Sequence, residues 1–309
     1  MTVKYNNEAE RLSLGITPKV LRKELIMAKL RGIKPRPQDK RLKLLMFGKS
    51  GTGKTKACLQ MERPFIIDTE RGTENYSAEI NAVGGLVFHT VDMDELITEV
   101  RTLRTEKHDR ASLCIDGLTT VYNGLLAKAA NEVGEDYGRH YALANKTMKP
   151  LMNLLLELDM NVIVTAHSKP IYGTNLSVLG QTFDAWKSID YMFDLVLELT
   201  RATPTERHAR VIKTRIDTFP DGETFAWTRE ALRERYDLKV LQRESVPVEV
   251  ATTRQVSDIK TLVSMMDGGD EFVRKCLTKA NVDLVSDLST EQADKVIQHL
   301  EKVTGGIHV

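Results

Sequence analysis

The chain has 309 residues, of which 41% are hydrophobic and 28% charged, and its net charge is +1. This length accommodates a full core and one small additional module, and the composition is typical of a globular protein. No apolar stretch approaches the roughly 20 residues that cross a bilayer, and the first ten residues lack the pattern of a signal peptide. The three cysteines are widely spaced, which favours buried thiols in a reducing compartment. We therefore expect a cytoplasmic protein without a membrane partner.

The amino-terminal segment is basic. Residues 17–43 contain ten Lys or Arg against two acidic residues. The pair Thr17-Pro18 predicts the start of a helix in this segment. A basic arm of this kind can bind nucleic acid, and the alternative is a solvated helix face. We assign residues 1–40 to this arm.

Between residues 42 and 165, short apolar runs alternate with amphipathic segments. The apolar runs predict five strands, at residues 42–47, 64–68, 86–90, 112–115 and 161–165. The segments between them predict four helices, at residues 54–61, 93–105, 122–132 and 142–158. Such alternation predicts an α/β fold with a mainly parallel sheet that helices cover on both faces.

The pattern changes after residue 169. We expect a loop to about residue 189, followed by three strands at residues 195–200, 209–214 and 224–228, with a turn at Asp221-Gly222. Residues 243–256 are predicted to be a linker. Three short helices are predicted beyond it, at residues 257–266, 270–280 and 289–303, the last with a capping box of Ser289 and Gln292. The sequence therefore predicts a core over residues 41–242 and a small helical domain over residues 257–309.

The strongest motif follows the first predicted strand and fits G-x-x-x-x-G-K-[ST]. It consists of Gly48, Lys49, Ser50, Gly51, Thr52, Gly53, Lys54 and Thr55, and we call residues 48–55 the phosphate loop. Glycines let a backbone wrap around an anion with its N–H groups directed inward, and the positive end of the next helix adds to the attraction. Lys54 is predicted to reach the β and γ phosphates, and the Thr55 hydroxyl to bind Mg²⁺. The motif predicts binding of ATP or GTP, and we assign ATP and Mg²⁺.

Carboxylates follow two of the predicted strands. Asp116 ends one of them, where strand ends line the ligand crevice of a parallel sheet. We predict that Asp116 is the second magnesium ligand, and the alternative is a turn-forming residue before Gly117. Glu70 lies just past the end of another strand and is predicted to polarise the attacking water. Asp68 competes for this role, and a solvated loop charge is the alternative to both.

Three further residues are catalytic candidates. His167 follows a third predicted strand, where a polar side chain can sense the γ-phosphate, and a structural histidine is the alternative. Lys213 and Arg215 alternate along a predicted strand and therefore point the same way. They are either solvated cations at the edge of the sheet or fingers, that is, cationic side chains that a neighbouring subunit supplies to stabilise transition-state charge.

These residues resemble the motifs of RecA-like P-loop ATPases. The segment that ends in Asp68-Thr69-Glu70 is similar to the one that carries the water-activating glutamate, and Asp116-Gly117-Leu118-Thr119 is similar to the second magnesium motif. The Lys213-x-Arg215 strand resembles the trans-acting finger strand of RecA, KaiC and DnaB-type proteins. Residues 136–168 most resemble phage-encoded RecA-like ATPases, which include Sak-type single-strand annealing recombinases. RecA itself has Gln at the position of His167.

The resemblance covers about residues 41–236 and implies a RecA-like core. It implies an ATPase of DNA recombination or repair that binds single-stranded DNA, forms a homo-oligomeric filament or ring, and hydrolyses ATP at subunit interfaces. It places DNA-binding loops at residues 131–144 and 169–186. Lysines can contact the DNA backbone and aromatic rings can stack on bases, so the DNA-contact candidates are Lys169, Tyr172, Phe183, Trp186 and Lys187. The alternative is a surface loop whose aromatic side chains pack on the core.

Other functions remain open at this point. A replicative helicase or loader also uses a RecA-like core, and strand displacement would distinguish it. A nucleotide-gated regulatory protein would bind ATP with little turnover. The carboxyl-terminal helices are either a docking module for a protein or DNA partner, or a structural cap.

Overall fold

A computed structural model describes residues 39–175, 177–280 and 282–304. The helix predicted from Thr17 in the basic arm lies outside these residues. Among the helices that the structure describes, none has the length and apolar character that spanning a bilayer requires.

Nine strands of the described residues form one mixed sheet in the order β3-β2-β4-β5-β1-β7-β8-β9, with β6 paired to β5 outside this path. They are β1 (Lys43–Gly48), β2 (Pro64–Asp68), β3 (Leu86–His89), β4 (Ser112–Asp116), β5 (Asn161–Tyr172), β6 (Val178–Asp184), β7 (Leu195–Arg201), β8 (Arg207–Thr214) and β9 (Thr224–Ala226). The path from β3 to β7 is parallel, whereas β6, β8 and β9 pair antiparallel. The predicted α/β fold with a mainly parallel sheet is confirmed.

The helices connect and cover these strands. In chain order they are α1 (Lys54–Cys58), α2 (Ser77–Ala82), α3 (Met93–Thr105), α4 (Leu118–Val133), α5 (Arg139–Glu157), α6 (Ile189–Met192), α7 (Arg229–Arg235), α8 (Leu238–Gln242), α9 (Thr253–Ser264), α10 (Gly269–Ala280) and α11 (Thr290–Val303). Short 3₁₀ turns lie at Gly72–Tyr76, Asp136–Gly138 and Val285–Asp287.

Two hydrophobic cores lie on the two faces of the sheet. Successive side chains of a strand point to opposite faces, and β1 shows this directly. Leu45 and Phe47 belong to the core that α3, α4 and α5 cover, whereas Leu44 and Met46 belong to the core under α1. Because both faces are covered, every residue of β1 is buried, as expected for a central parallel strand.

The prediction of a loop from residue 170 to about residue 189 is wrong. Strand β5 continues to Tyr172 and returns as β6, with His167 opposite Asp184 in an antiparallel hairpin. Only the first half of β5 is fully buried, and residues 167–172 of its second half are partly or fully exposed. A prediction based on apolar runs therefore ended this strand too early and missed its partner.

Smaller differences concern helix ends. Helix α4 begins at Leu118 rather than at residue 122, because Leu118 and Val121 face the core. Helix α1 ends at Cys58. The next three backbone N–H groups, from Leu59 to Met61, each donate to the carbonyl three residues earlier. The short helices α2, α6, α7 and α8 were not predicted, and α9 takes in the last residues of the predicted linker.

The three carboxyl-terminal helices surround a core of their own. The predicted capping box of Ser289 and Gln292 is present at the start of α11. This region contacts the sheet domain through α3. Arg101 pairs with Asp287 at 2.9 Å, and in the segment before α9 the Val248 N–H donates to the Arg104 carbonyl at 2.9 Å.

Candidate nucleotide-binding site

The candidate site lies at the carboxyl ends of the central parallel strands. Strand β5 lies between β1 and β4, so that Gly48 is opposite His167, while Asp68 of β2 is opposite Asp116 of β4. The strand order thus brings the predicted residues together at one edge. A cleft of about 830 Å³ opens there, and the predicted residues that line it are Ser50, Gly51, Gly53, Lys54, Thr55, Glu70, Asp116 and His167.

The phosphate loop connects β1 to α1, which begins at Lys54 as predicted. Gly51 and Gly53 have φ angles of +76° and +91°, a left-handed conformation that favours glycine. The Lys54 ammonium is buried beneath the loop and donates to the carbonyls of Gly48 and Lys49 at 3.2 and 3.3 Å. Burial lowers the pKa of Lys54, and the nearby carboxylates only partly offset this effect. A cation that is poorly solvated in this way gains from an anion placed next to it.

Asp116 is buried beside the Thr55 hydroxyl. Its Oδ1 accepts a hydrogen bond from Thr165 Oγ1 at 2.7 Å. Burial raises the pKa of Asp116, and the charges of Glu70 and Asp68 raise it further, against the hydrogen bonds from Thr55 and Thr165. A carboxylate destabilised in this way favours a cation, which fits the predicted magnesium role.

The donor set also fits Mg²⁺ with a nucleotide rather than a metal alone. In the described part of the chain, no cluster of three or more His, Cys, Asp or Glu side chains is arranged to hold a metal ion. Protein sites for Mg²⁺ commonly use one or two carboxylates together with substrate phosphates. Thr55 and Asp116 would hold the ion in that manner.

Glu70 lies over the start of α4 and contacts two side chains. Its Oε1 is 2.7 Å from His167 Nε2 and accepts from Thr120 Oγ1 at 3.1 Å. The carboxylate also packs against Gly117, where a Cβ atom would lie 2.8 Å from Glu70 Cδ and still closer to Oε1. Gly117 has an ordinary extended φ of −152°, so its requirement for glycine is steric.

This packing predicts the effect of Gly117→Ala. The added methyl group displaces the Glu70 carboxylate, and displacing a catalytic group by about 1 Å can cost on the order of 100-fold in rate. We expect ATP turnover to fall by about 10- to 100-fold, with nucleotide affinity nearly unchanged. Gly124→Ala is the matched control, since a Cβ atom at Gly124 of the same helix meets nothing within 4 Å. Equal turnover in both variants would contradict the placement of Glu70.

Asp68, the competing carboxylate, holds the loop that carries Glu70. Its Oδ1 accepts from the N–H groups of Glu70 and Gly72, and its Oδ2 accepts from the N–H and hydroxyl of Thr73. Burial raises the pKa of Asp68, but these hydrogen bonds outweigh that effect and hold it below its usual value. The Asp68 oxygens are therefore engaged by the backbone, which favours Glu70 over Asp68 as the group that faces the cleft.

The two predicted finger residues are not brought to the cleft within one chain. Lys213 donates to the carbonyls of Asp190 and Phe193, and Arg215 donates to the carbonyl of Tyr191 at 2.7 Å. Thr214, which lies between them, pairs with the first residue of β7, at the opposite end of the sheet from the phosphate loop.

The five predicted DNA-contact residues, in or next to the β5–β6 hairpin, differ in their exposure. Phe183 and Trp186 are partly buried against the core, which corresponds to the alternative of a surface segment that packs its aromatic side chains. Lys169 pairs with Asp184 across the hairpin at 2.9 Å. Tyr172 and Lys187 are exposed. Tyr172 is therefore the one exposed aromatic ring among these five residues.

The structure adds residues to the site that the sequence did not reveal. Arg201, Pro204 and Arg207, from the hairpin between β7 and β8, line the cleft in the same chain. The sequence does show two arginines on either side of the turn between two predicted strands. Their proximity to the phosphate loop follows only from the pairing of β7 with β1, which the sequence pattern does not give.

Comparison with known proteins identifies the family. The model of the family described as AAA domain matches residues 40–226, which is more than half of the chain and includes every element around the cleft. A search of curated proteins finds no match. With a phosphate loop at the edge of a mainly parallel sheet, the chain belongs to the AAA-type P-loop ATPase family.

Proposed function

We propose that the chain hydrolyses ATP in this cleft, with Glu70 as the group that activates water, in DNA recombination or repair. The main support for ATP hydrolysis is the position of Glu70. Its carboxylate lines the cleft together with Lys54, Thr55 and Asp116. The absence of a side chain at Gly117 leaves room for this carboxylate. A family member that only bound nucleotide would not need a carboxylate at this position.

Each residue has a separate task in this mechanism. The phosphate loop and Lys54 bind the phosphates, and Thr55 and Asp116 are placed to hold Mg²⁺. Mg²⁺, when bound, neutralises charge on the phosphates. Glu70 accepts a proton from the attacking water, and Lys54 stabilises the charge that develops on the phosphates.

His167 is proposed to connect this chemistry to the β5–β6 hairpin. Its imidazole contacts Glu70, while its backbone N–H donates to Thr119 Oγ1 at 2.8 Å. The Thr119 hydroxyl in turn donates to the carbonyl of Asp184 in β6 at 2.7 Å. Glu70 is therefore connected to both strands of the hairpin through the side chain and backbone of His167 and the Thr119 hydroxyl.

The hairpin is proposed to bind single-stranded DNA. Its outer part exposes Tyr172 to 59% and carries the apolar side chains of Ile171 and Leu179, which are also exposed. An exposed aromatic ring with lysines nearby suits base stacking and backbone contact. We further propose that the chain assembles as a homo-oligomer, in which Lys213 and Arg215 act on the ATP of a neighbouring subunit.

The first test measures ATP hydrolysis with and without single-stranded DNA. We expect DNA to stimulate turnover and Lys54→Ala to abolish it. DNA stimulation should also be lost in Tyr172→Ala, while Tyr191→Ala, at another exposed tyrosine that lies outside both predicted DNA-binding loops, is the matched control. Hydrolysis that does not respond to DNA would contradict the DNA-activated mechanism. Tight ATP binding without hydrolysis would contradict the ATPase and favour a nucleotide-gated regulator.

The neighbouring-subunit fingers are tested by mixing two inactive proteins. Lys54→Ala retains Arg215 but lacks a working phosphate loop, and Arg215→Ala has the converse defect. If the finger acts between subunits, mixed oligomers contain some complete sites, and turnover should recover to about a quarter of the wild-type value by random pairing. Failure of Arg215→Ala to lower turnover, or of the mixture to recover it, would contradict the trans role.

A further inference from the structure

The hairpin between β7 and β8 adds positive charge to the cleft from within the same chain. Arg201 ends β7 and Arg207 begins β8, and both line the cleft beside the phosphate loop. Together with Lys54 and Lys56 they outnumber the carboxylates of Glu70 and Asp116 in the lining. An excess of cations in a concave site attracts a polyanion.

Arg207 packs directly on the phosphate loop. A Cβ atom at Gly53 would lie 3.3 Å from Arg207 Cζ and closer still to Nε. Gly53 is the residue immediately before Lys54, so the guanidinium is held against the part of the loop that leads into α1. Only a residue without a side chain permits this approach.

The Nε of Arg207 is buried without an acceptor among the residues that the structure describes. It is inaccessible to solvent and, within the part of the chain that the structure describes, forms no hydrogen bond. By contrast, Nη1 donates to the Pro204 carbonyl at 3.1 Å. A buried N–H without an acceptor is costly, and the cost is larger for a charged group. A phosphate oxygen beside the loop would remove this cost.

The position of Arg207 also indicates which phosphates it would meet. Glu70 and His167 mark the end of the cleft where the γ-phosphate reacts. Arg207 also lines an adjoining cavity of about 180 Å³, with Lys56, Gln60 and Trp227, in which neither Glu70 nor His167 takes part. Arg207 therefore lies between the reacting end and this second cavity.

We propose that Arg207 is a nucleotide ligand supplied in cis, which binds the α- and β-phosphates common to ATP and ADP. This inference rests on the proposed function of the cleft as an ATP site. A ligand of these phosphates stabilises substrate, transition state and product alike, so its loss weakens binding without slowing the bound complex. Loss of a residue that bound only the γ-phosphate would instead weaken the binding of ATP but not of ADP, and would slow turnover at saturating ATP.

The test is a calorimetric titration of Arg207→Ala with ADP and with a non-hydrolysable ATP analogue. Hydrogen bonds to charged groups predict that both affinities fall by about 10- to 100-fold, while turnover at saturating ATP stays within about twofold of wild type. Arg207→Lys should recover part of the affinity, because it keeps the charge but loses the planar fork. Arg210→Ala is the matched control, since Arg210 lies on the same strand, pairs with Glu198 at 2.6 Å and does not line the cleft.

The outcomes separate this inference from the proposed function. Unchanged affinity in Arg207→Ala, with binding abolished in Lys54→Ala, overturns the role of Arg207 and leaves the ATP site standing. Weaker binding of the ATP analogue alone would place Arg207 at the γ-phosphate and overturn the assignment. If the wild-type protein bound neither nucleotide, both would fall. Thermal unfolding establishes that the variants are folded, and Arg207→Lys provides the comparison if the alanine variant does not fold.

Discussion

Replacing Glu70 by Gln is expected to lower ATP turnover by at least about 100-fold, the usual contribution of a positioned general base. The substitution keeps the shape of the side chain and removes its capacity to accept a proton from water. ATP affinity should be unchanged or higher, because a negative charge that faces the phosphates is lost. Steady-state hydrolysis and calorimetric titration of a non-hydrolysable ATP analogue measure the two effects separately.

Glu74→Gln is the matched control for this experiment. Glu74 is an exposed carboxylate four residues further along, paired with Arg71 at 3.3 Å, and its loss should leave turnover within about twofold of wild type, as for other surface changes. If Glu70→Gln retained more than half of the wild-type turnover, the attacking water would be activated by another group. Asp68 would then be the next candidate, although its oxygens are already occupied by backbone donors.

The parts of the site that follow directly from local sequence were predictable. The phosphate loop is a contiguous motif with its own conformational demands, and Gly51 and Gly53 have the left-handed φ angles that the motif requires. Asp116 and His167 were located by their position at the ends of apolar strands. Such reasoning needs only the rule that parallel strands place their carboxyl ends at one edge.

The remaining parts depend on strand pairing, which sequence periodicity does not encode. Arg207 reaches the phosphate loop because β7 happens to lie beside β1, and Thr165 reaches Asp116 because β5 lies beside β4. Lys213 was correctly expected to lie in a strand, but the strand pattern does not say which end of the sheet it occupies. The β5–β6 hairpin escaped notice because its outer half is held by strand pairing with little burial.

The base of the sheet domain depends on a partly buried ion pair that joins three distant segments. Arg41, just before β1, donates to both oxygens of Asp159 and to three backbone carbonyls between residues 240 and 244. Asp159, in the turn between α5 and β5, also accepts from Arg243 at 2.7 Å and from the Val246 N–H at 3.1 Å. The segment after α8 is fixed to the core through these bonds.

Replacing Asp159 by Ala is therefore expected to lower the free energy of unfolding by about 3 kcal/mol, because it leaves the buried Arg41 guanidinium without its counter-ion. Urea denaturation measures the change. Asp109→Ala is the matched control, since Asp109 forms an ion pair of similar length with Arg110 but is largely exposed. A surface pair of that kind contributes about 0–1 kcal/mol. Equal effects in the two variants would contradict the structural role of Asp159.

The same ion pair predicts how the loss depends on pH. Burial raises the pKa of Asp159, but the hydrogen bonds from Arg41, Arg243 and Val246 outweigh it and hold the pKa below its usual value. A carboxyl whose folded-state pKa lies below its unfolded value of about 3.9 stabilises the fold fully at higher pH, and this stabilisation is lost as pH falls through the folded-state pKa. The difference in stability between wild type and Asp159→Asn should thus be largest near neutral pH and shrink below about pH 4. A difference that stayed constant across this range would mean that the charge of Asp159 is not what holds the three segments together.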